Sequence, residues 1–176
     1  MNLYKLYRHN NNRKNKIQPI PVLPSEYIEG SNSSFFGLHF QPDTYEVLEA
    51  KIKSNIKKKL VIQHIMTYSK YMGLIRNCRL LNVQLYKLEF TMEPYNYQEW
   101  EELFLENKQN DVNRMLDLLS DFYDQGADIK KMIVSINGNE NVYIYNNGYI
   151  GVDDRINREE GVFKALITYI ISGELT

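Results

Sequence analysis

An α+β fold, with an antiparallel sheet of four or five strands carrying helices on one face, is predicted by three features of the 176-residue chain. Between residues 130 and 152, three short runs rich in Val, Ile and Tyr are separated by Asn137-Gly138 and Asn146-Asn147-Gly148. These turn signals join neighbouring strands into a meander. The next segment, 157–172, repeats Val162, Phe163, Leu166, Ile167, Ile170 and Ile171 at helical spacing, so it needs an apolar sheet to lie on. The chain also lacks the regular strand–helix alternation that would argue for a parallel sheet.

Taken in order, residues 1–24 read as a basic, Pro- and Asn-rich arm on a single domain spanning 25–176. Residues 3–7 fit a short strand. Residues 8–16 hold Arg8, Arg13, Lys14 and Lys16 among asparagines, with no apolar period to order them. Pro19, Pro21 and Pro24 then favour extended backbone, because each ring fixes φ and biases its neighbour away from helix. Residues 35–40 fit a strand bringing Phe35, Phe36, Leu38 and Phe40 to the core. Asp43-Thr44-Tyr45-Glu46 predicts a capping box, followed by a helix with Leu48, Ile52 and Ile56 on one stripe. Lys57, Lys58 and Lys59 sit at its C-terminal end, where the macrodipole favours cations. Residues 60–72 read two ways. Val61, Ile65, Tyr68 and Met72 carry a helix onward past a break near residue 59, which is the favoured reading, while 60–66 also fits a strand.

In the predicted strand 79–92, Val83 and Leu85 alternate in one phase and Leu88, Phe90 and Met92 in the other. A one-residue switch of this kind marks a β-bulge near Tyr86 and Lys87, or a strand buried on both faces. Residues 96–106 predict a short helix with Trp100, Leu103 and Phe104. Asn110 or Asp111 caps a second helix over 111–124, whose stripe of Val112, Met115, Leu116, Leu119, Phe122 and Tyr123 ends at Gly126. Within the meander, Tyr143 and Tyr145 fall on the face opposite Val142 and Ile144. Asn157-Arg158-Glu159-Glu160 reads as the cap of the last helix, and Gly173 as its stop.

The bulk composition, 43% apolar and 24% charged, is that of an ordinary globular protein long enough to bury a core without disulfides or metals. A single cysteine, Cys78, excludes an intrachain disulfide and fits a reducing compartment. The opening residues have no continuous apolar segment of a signal peptide. The longest apolar run, 162–171, is about half of the ~20 residues a spanning helix needs. A cytoplasmic protein that does not enter the membrane is expected. Abundant Asn, Lys, Ile and Tyr, all with A/T-rich codons, suggest a low-GC bacterium or its phage. The net charge of −1 hides a segregation. Residues 1–80 hold thirteen Lys and Arg against five acids, and residues 93–128 hold two against ten.

No motif specific for a chemistry is present, and no cofactor is expected. The favoured reading is a non-enzymatic interaction factor, of the immunity, inhibitor or accessory type. It would bind a partner protein through an acidic, aromatic-bearing helical surface with Trp100, Glu101, Glu102, Asp117 and Asp121, since aromatic anchors in a charged rim suit such interfaces. The alternative is nucleic-acid binding by Arg8, Arg13, Lys14, Lys16, Lys57, Lys58 and Lys59. Each phosphate contact there would add sequence-independent, salt-sensitive affinity, with Tyr4, Tyr7, Tyr143 and Tyr145 as stacking surfaces. A distant third is a metal-dependent phosphodiesterase or nuclease, with Asp153 and Asp154 as candidate Mg²⁺ ligands beside Arg155. His64, between Ile62 and Ile65, reads as a packed histidine, and Cys78 has no context that would activate it.

Overall fold

The computed structural model describes residues 1–10, 27–105 and 111–175. The strands are β1 (Asn2–His9), β2 (Tyr27–Glu29), β3 (Phe35–Phe40), β4 (Val61–Gln63), β5 (Gln84–Phe90), β6 (Ile129–Ile136), β7 (Glu140–Tyr145) and β8 (Tyr149–Val152). They form one eight-stranded sheet in the order β2-β3-β1-β8-β7-β6-β5, with β4 also paired to β1, and every pairing is antiparallel. The helices are α1 (Tyr45–Lys57), α2 (Tyr68–Asn77), α3 (Tyr97–Leu105), α4 (Val112–Asp124) and α5 (Gly161–Ser172).

The meander forms where the turn residues place it. Asn137 and Gly138 take φ of 54° and 82°, and Gly148 takes 77°, left-handed values that Gly adopts freely and Asn tolerates. The expected bulge is also present, as a register shift between Leu85 and Lys87 against β6. It puts both Leu85 and Leu88 on the helix side, at 4% and 2% exposure.

Alternation along the strands sorts side chains to two faces. One face presents Tyr4, Leu6, Leu85, Leu88, Met132, Val134, Val142, Ile144, Ile150 and Val152 to α2, α3, α4 and α5, forming the main core. The opposite face carries Tyr7, Phe36, Leu38 and Phe40, covered by Leu48 and Ile52 of α1 in a second core. Among the described residues α1 packs on β3 and β4. No described helix covers that face over β5, β6 and β7, where Tyr143 and Tyr145 stand half-buried.

Several expectations are corrected. The sheet has twice the strands of the smaller estimate, because β1, β3 and β4 join the meander instead of standing apart. Asn2–His9, the first part of the supposed arm, is an interior strand between β3 and β8; residues 11–24 of the arm lie outside the described residues. Residues 60–72 do not continue α1. Val61–Gln63 is a strand on Tyr7–His9, and a separate helix begins at Tyr68, because open N–H and C=O groups on β1 beyond the end of β8 demand partners. The capping box at Asp43 does not form. Residues Pro42–Thr44 make a 3-10 turn, and α1 starts at Tyr45 with no side-chain cap. Helix α5 starts at Gly161 rather than at residue 157, since Asn157 Oδ1 accepts from the Glu159 N–H in a preceding turn.

Candidate functional site

The acidic surface is built by two neighbouring helices. On α4 the side-chain carboxylate of Asp111 accepts from the Arg114 N–H at 3.1 Å, a true N-cap that fixes where the helix starts. The helix then buries Met115, Leu116, Leu118, Leu119 and Phe122, which leaves Asp117, Asp121 and Asp124 exposed at the i, i+4, i+7 spacing of one outer stripe. On α3, Glu101 and Glu102 are exposed. Arg114 of α4 ties the two helices by donating to Glu99 Oε1 at 2.7 Å.

Trp100 is not part of this surface. It is 3% exposed, stacked on Phe104 with centroids 6.0 Å apart and edge-on to Phe90 and Phe122. Its apolar area belongs to the core, which the helical stripe alone could not distinguish from an interface anchor. The exposed aromatics beside the acids are Tyr123, at 55%, and Tyr95, at 79%. Tyr123 rests on Tyr68 with centroids 4.5 Å apart. Its place in the apolar stripe is thereby corrected: it directly follows the buried Phe122, which turns it about 100° away from the buried face.

The basic candidates are brought partly together. Asn10 donates its backbone N–H to the Leu60 carbonyl and its side-chain amide to the Lys59 carbonyl, at 2.9 and 3.0 Å. This lashes the end of β1 to the end of α1 with exposed Lys57, Lys58 and Lys59, whereas exposed Arg8 shares the strand phase of Tyr4 and Leu6 on the other side of the sheet, and its charge acts on His64 and Lys70. Arg13, Lys14 and Lys16 lie outside the described residues. Of the tyrosines named as stacking surfaces, Tyr4 and Tyr7 are buried, at 0% and 1%, and are corrected accordingly. Tyr143 and Tyr145 are half-buried on the sheet face that no described helix covers, with the Lys131 ammonium 5.9 Å from the Tyr145 ring centre. Lys131 also bonds Glu89 at 2.9 Å, which lowers the Glu89 pKa.

Asp153 and Asp154 are already engaged. Both Asp153 oxygens accept from the Arg155 guanidinium, at 3.2 and 2.8 Å, and Oδ1 also accepts the Arg155 backbone N–H. These bonds hold its carboxyl down to about 2. Asp154 accepts from Asn2 Nδ2 and the Met1 amino group. Among the described residues no group of three or more His, Cys, Asp or Glu could hold a metal ion. Cys78 is buried, and desolvation pushes its thiol up to about 12, far from the thiolate that nucleophilic chemistry requires.

Two buried basic groups lie elsewhere. His64, 5% exposed, has its Nδ1 3.2 Å from the Lys70 ammonium and its Nε2 3.4 Å from Met66 Sδ. Lys70 can only donate, so Nδ1 is the acceptor and the ring is neutral. Burial first, then the charges of Lys70, Lys5 and Arg8, hold its pKa down at about 3. Lys5, 1% exposed, donates to the Asn147 carbonyl and lies 4.3 Å from the centre of the Tyr149 ring. No described helix is long and apolar enough to cross a membrane. The chain matches no protein-family model, no curated protein and no solved structure.

Proposed function

We propose that the chain is a non-enzymatic interaction factor that binds a basic surface of another protein through the outer faces of α3 and α4. The observation that carries this reading is the exposed stripe of Asp117, Asp121 and Asp124 beside Glu101 and Glu102, bordered by the exposed Tyr123 and Tyr95. Complementary charge steers encounter and selects the partner, and exposed tyrosines supply contact area at low entropic cost. Among the described residues of α3 and α4 the only Lys or Arg, Arg114, is paired with Glu99. The test is charge reversal. Glu101→Lys, Glu102→Lys, Asp117→Lys and Asp121→Lys together should weaken the complex by roughly tenfold to a hundredfold. Unchanged affinity in the quadruple variant overturns this placement of the surface.

A second reading, nucleic-acid binding, is favoured by one observation: Asn10 tethers the end of β1 to the end of α1, beside Lys57, Lys58 and Lys59. Residues 11–26, with Arg13, Lys14 and Lys16, continue the chain from that point. It expects affinity that falls steeply with salt and that is lost when Lys57, Lys58 and Lys59 are changed together to Gln.

A further inference from the structure

Where the cover of α1 ends and the open sheet face begins, a cleft of about 430 Å³ is lined by Leu3, Phe40, Tyr45, Tyr145, Asn147 and Tyr149. Its rings form one wall. Phe40 lies 4.9 Å from Tyr149 and 5.3 Å from Tyr45, and Tyr45 lies 5.6 Å from Tyr149, between ring centres. Behind this wall is the Lys5 ammonium, held against the Tyr149 ring and the Asn147 carbonyl, both groups of the cleft lining.

Lys5 is an unusual residue to find there. Among the described residues no carboxylate pairs with it, and burial draws its pKa down, to about 8, so it remains largely charged at neutral pH. An ammonium has three donors. One is used on Asn147, and the Tyr149 ring supplies a π face. A buried charge without a counter-ion is costly, and an anion nearby offsets that cost. The cleft is thus apolar and aromatic on its walls, with one unbalanced positive charge beneath the edge formed by Asn147.

We infer that this cleft binds a small, flat aromatic carboxylate, its ring against Phe40, Tyr45, Tyr145 and Tyr149 and its carboxylate at the Asn147 edge above Lys5. Flat rings suit aromatic walls through offset and edge-on contacts. A monoanion suits one buried cation, whereas a phosphate dianion would call for a second one. At roughly 30 Å³ per water-sized group, the space suits a fused bicyclic ring bearing one carboxylate. The site lies on the opposite side of the sheet from α3 and α4, so it is independent of the acidic surface.

The probe is 2-naphthoate, titrated calorimetrically into the whole protein beside its neutral analogue 2-naphthalenemethanol. The expected result is saturable one-to-one binding of the acid, with the alcohol weaker by about tenfold or more. Lys5→Met keeps the length of the side chain and removes the charge, and it should bind acid and alcohol alike; Tyr145→Ala should weaken both. The neutral analogue on the wild-type protein makes the comparison independent of how any variant folds. No saturation by the acid up to about 1 mM, equal binding of acid and alcohol, or a preference that survives Lys5→Met would overturn the inference.

Discussion

Among the described residues His64 sits among cations and faces no acid. The charged groups acting on it are Lys70 of α2 and Lys5 and Arg8 of β1. Protonating the folded ring therefore requires a pH near 3, while the unfolded ring takes its proton near 6.5. The unfolded state binds more protons throughout that window, so stability falls as pH is lowered from 6.5 towards 3. By pH 5 the loss from this residue should be about 2 kcal/mol. Urea unfolding of wild type and His64→Gln at pH 7 and pH 5 measures it, and the variant should show the smaller acid loss. Gly148 is a second position where one residue decides. Its φ is 77°, and an added Cβ would overlap the His64 carbonyl oxygen. Gly148→Ala should thus cost about 3 kcal/mol or more, well above an ordinary loop substitution, as read from the shift of the urea midpoint.

At the scale of elements, helix ends set the boundaries. Asp111 is a working N-cap, and Asp111→Ala should lower stability by about 1 kcal/mol. Lys59 closes α1 in the left-handed region at φ 55°, with the Leu60 N–H bonded back to the Asn55 carbonyl, in a place where glycine is the usual residue. Lys59→Gly should relieve that strain and stabilise the protein by about 0.5–1 kcal/mol, seen as a raised melting temperature. The cap at Asp111 was legible because a clean apolar stripe follows it directly. The false capping box at Asp43 had the right residues, but Pro42 and the end of β3 impose a 3-10 turn there instead. Likewise Val61, Ile65, Tyr68 and Met72 have helical spacing, yet the edge of β1 claims Val61–Gln63 as a strand. Local spacing describes what a segment can form alone, and tertiary hydrogen bonding chose otherwise.

For the whole molecule, what was legible followed sequence distance. The meander and the β5 bulge rest on neighbouring residues and could be read directly. The pairing of Leu3 with Gly151 and of Lys5 with Tyr149 joins the two ends of the chain, and no local pattern announces it. The same pairing makes the aromatic cleft and buries Lys5, so that site was invisible in the sequence even though each of its residues was in view. The acidic surface was half legible. Charge segregation pointed to α3 and α4, but the hydrophobic stripe could not tell the buried Trp100 from the exposed Tyr123. With net charge near zero, salt does not by itself discriminate between the two kinds of partner. Binding to the acidic face and binding to the basic corner of Lys57–Lys59 both weaken with salt, but only the first responds to reversal of the α3 and α4 acids.

The most direct test of that acidic face is a quantitative co-precipitation from the lysate of a low-GC bacterium at moderate salt, after nuclease treatment. The wild-type protein is compared with the Glu101→Lys, Glu102→Lys, Asp117→Lys, Asp121→Lys variant, both shown to be folded. The expected result is a stoichiometric protein partner on the wild type that is depleted on the variant. The same partner retained in equal amount by both, or nucleic acid as the only bound species before nuclease treatment, would contradict it.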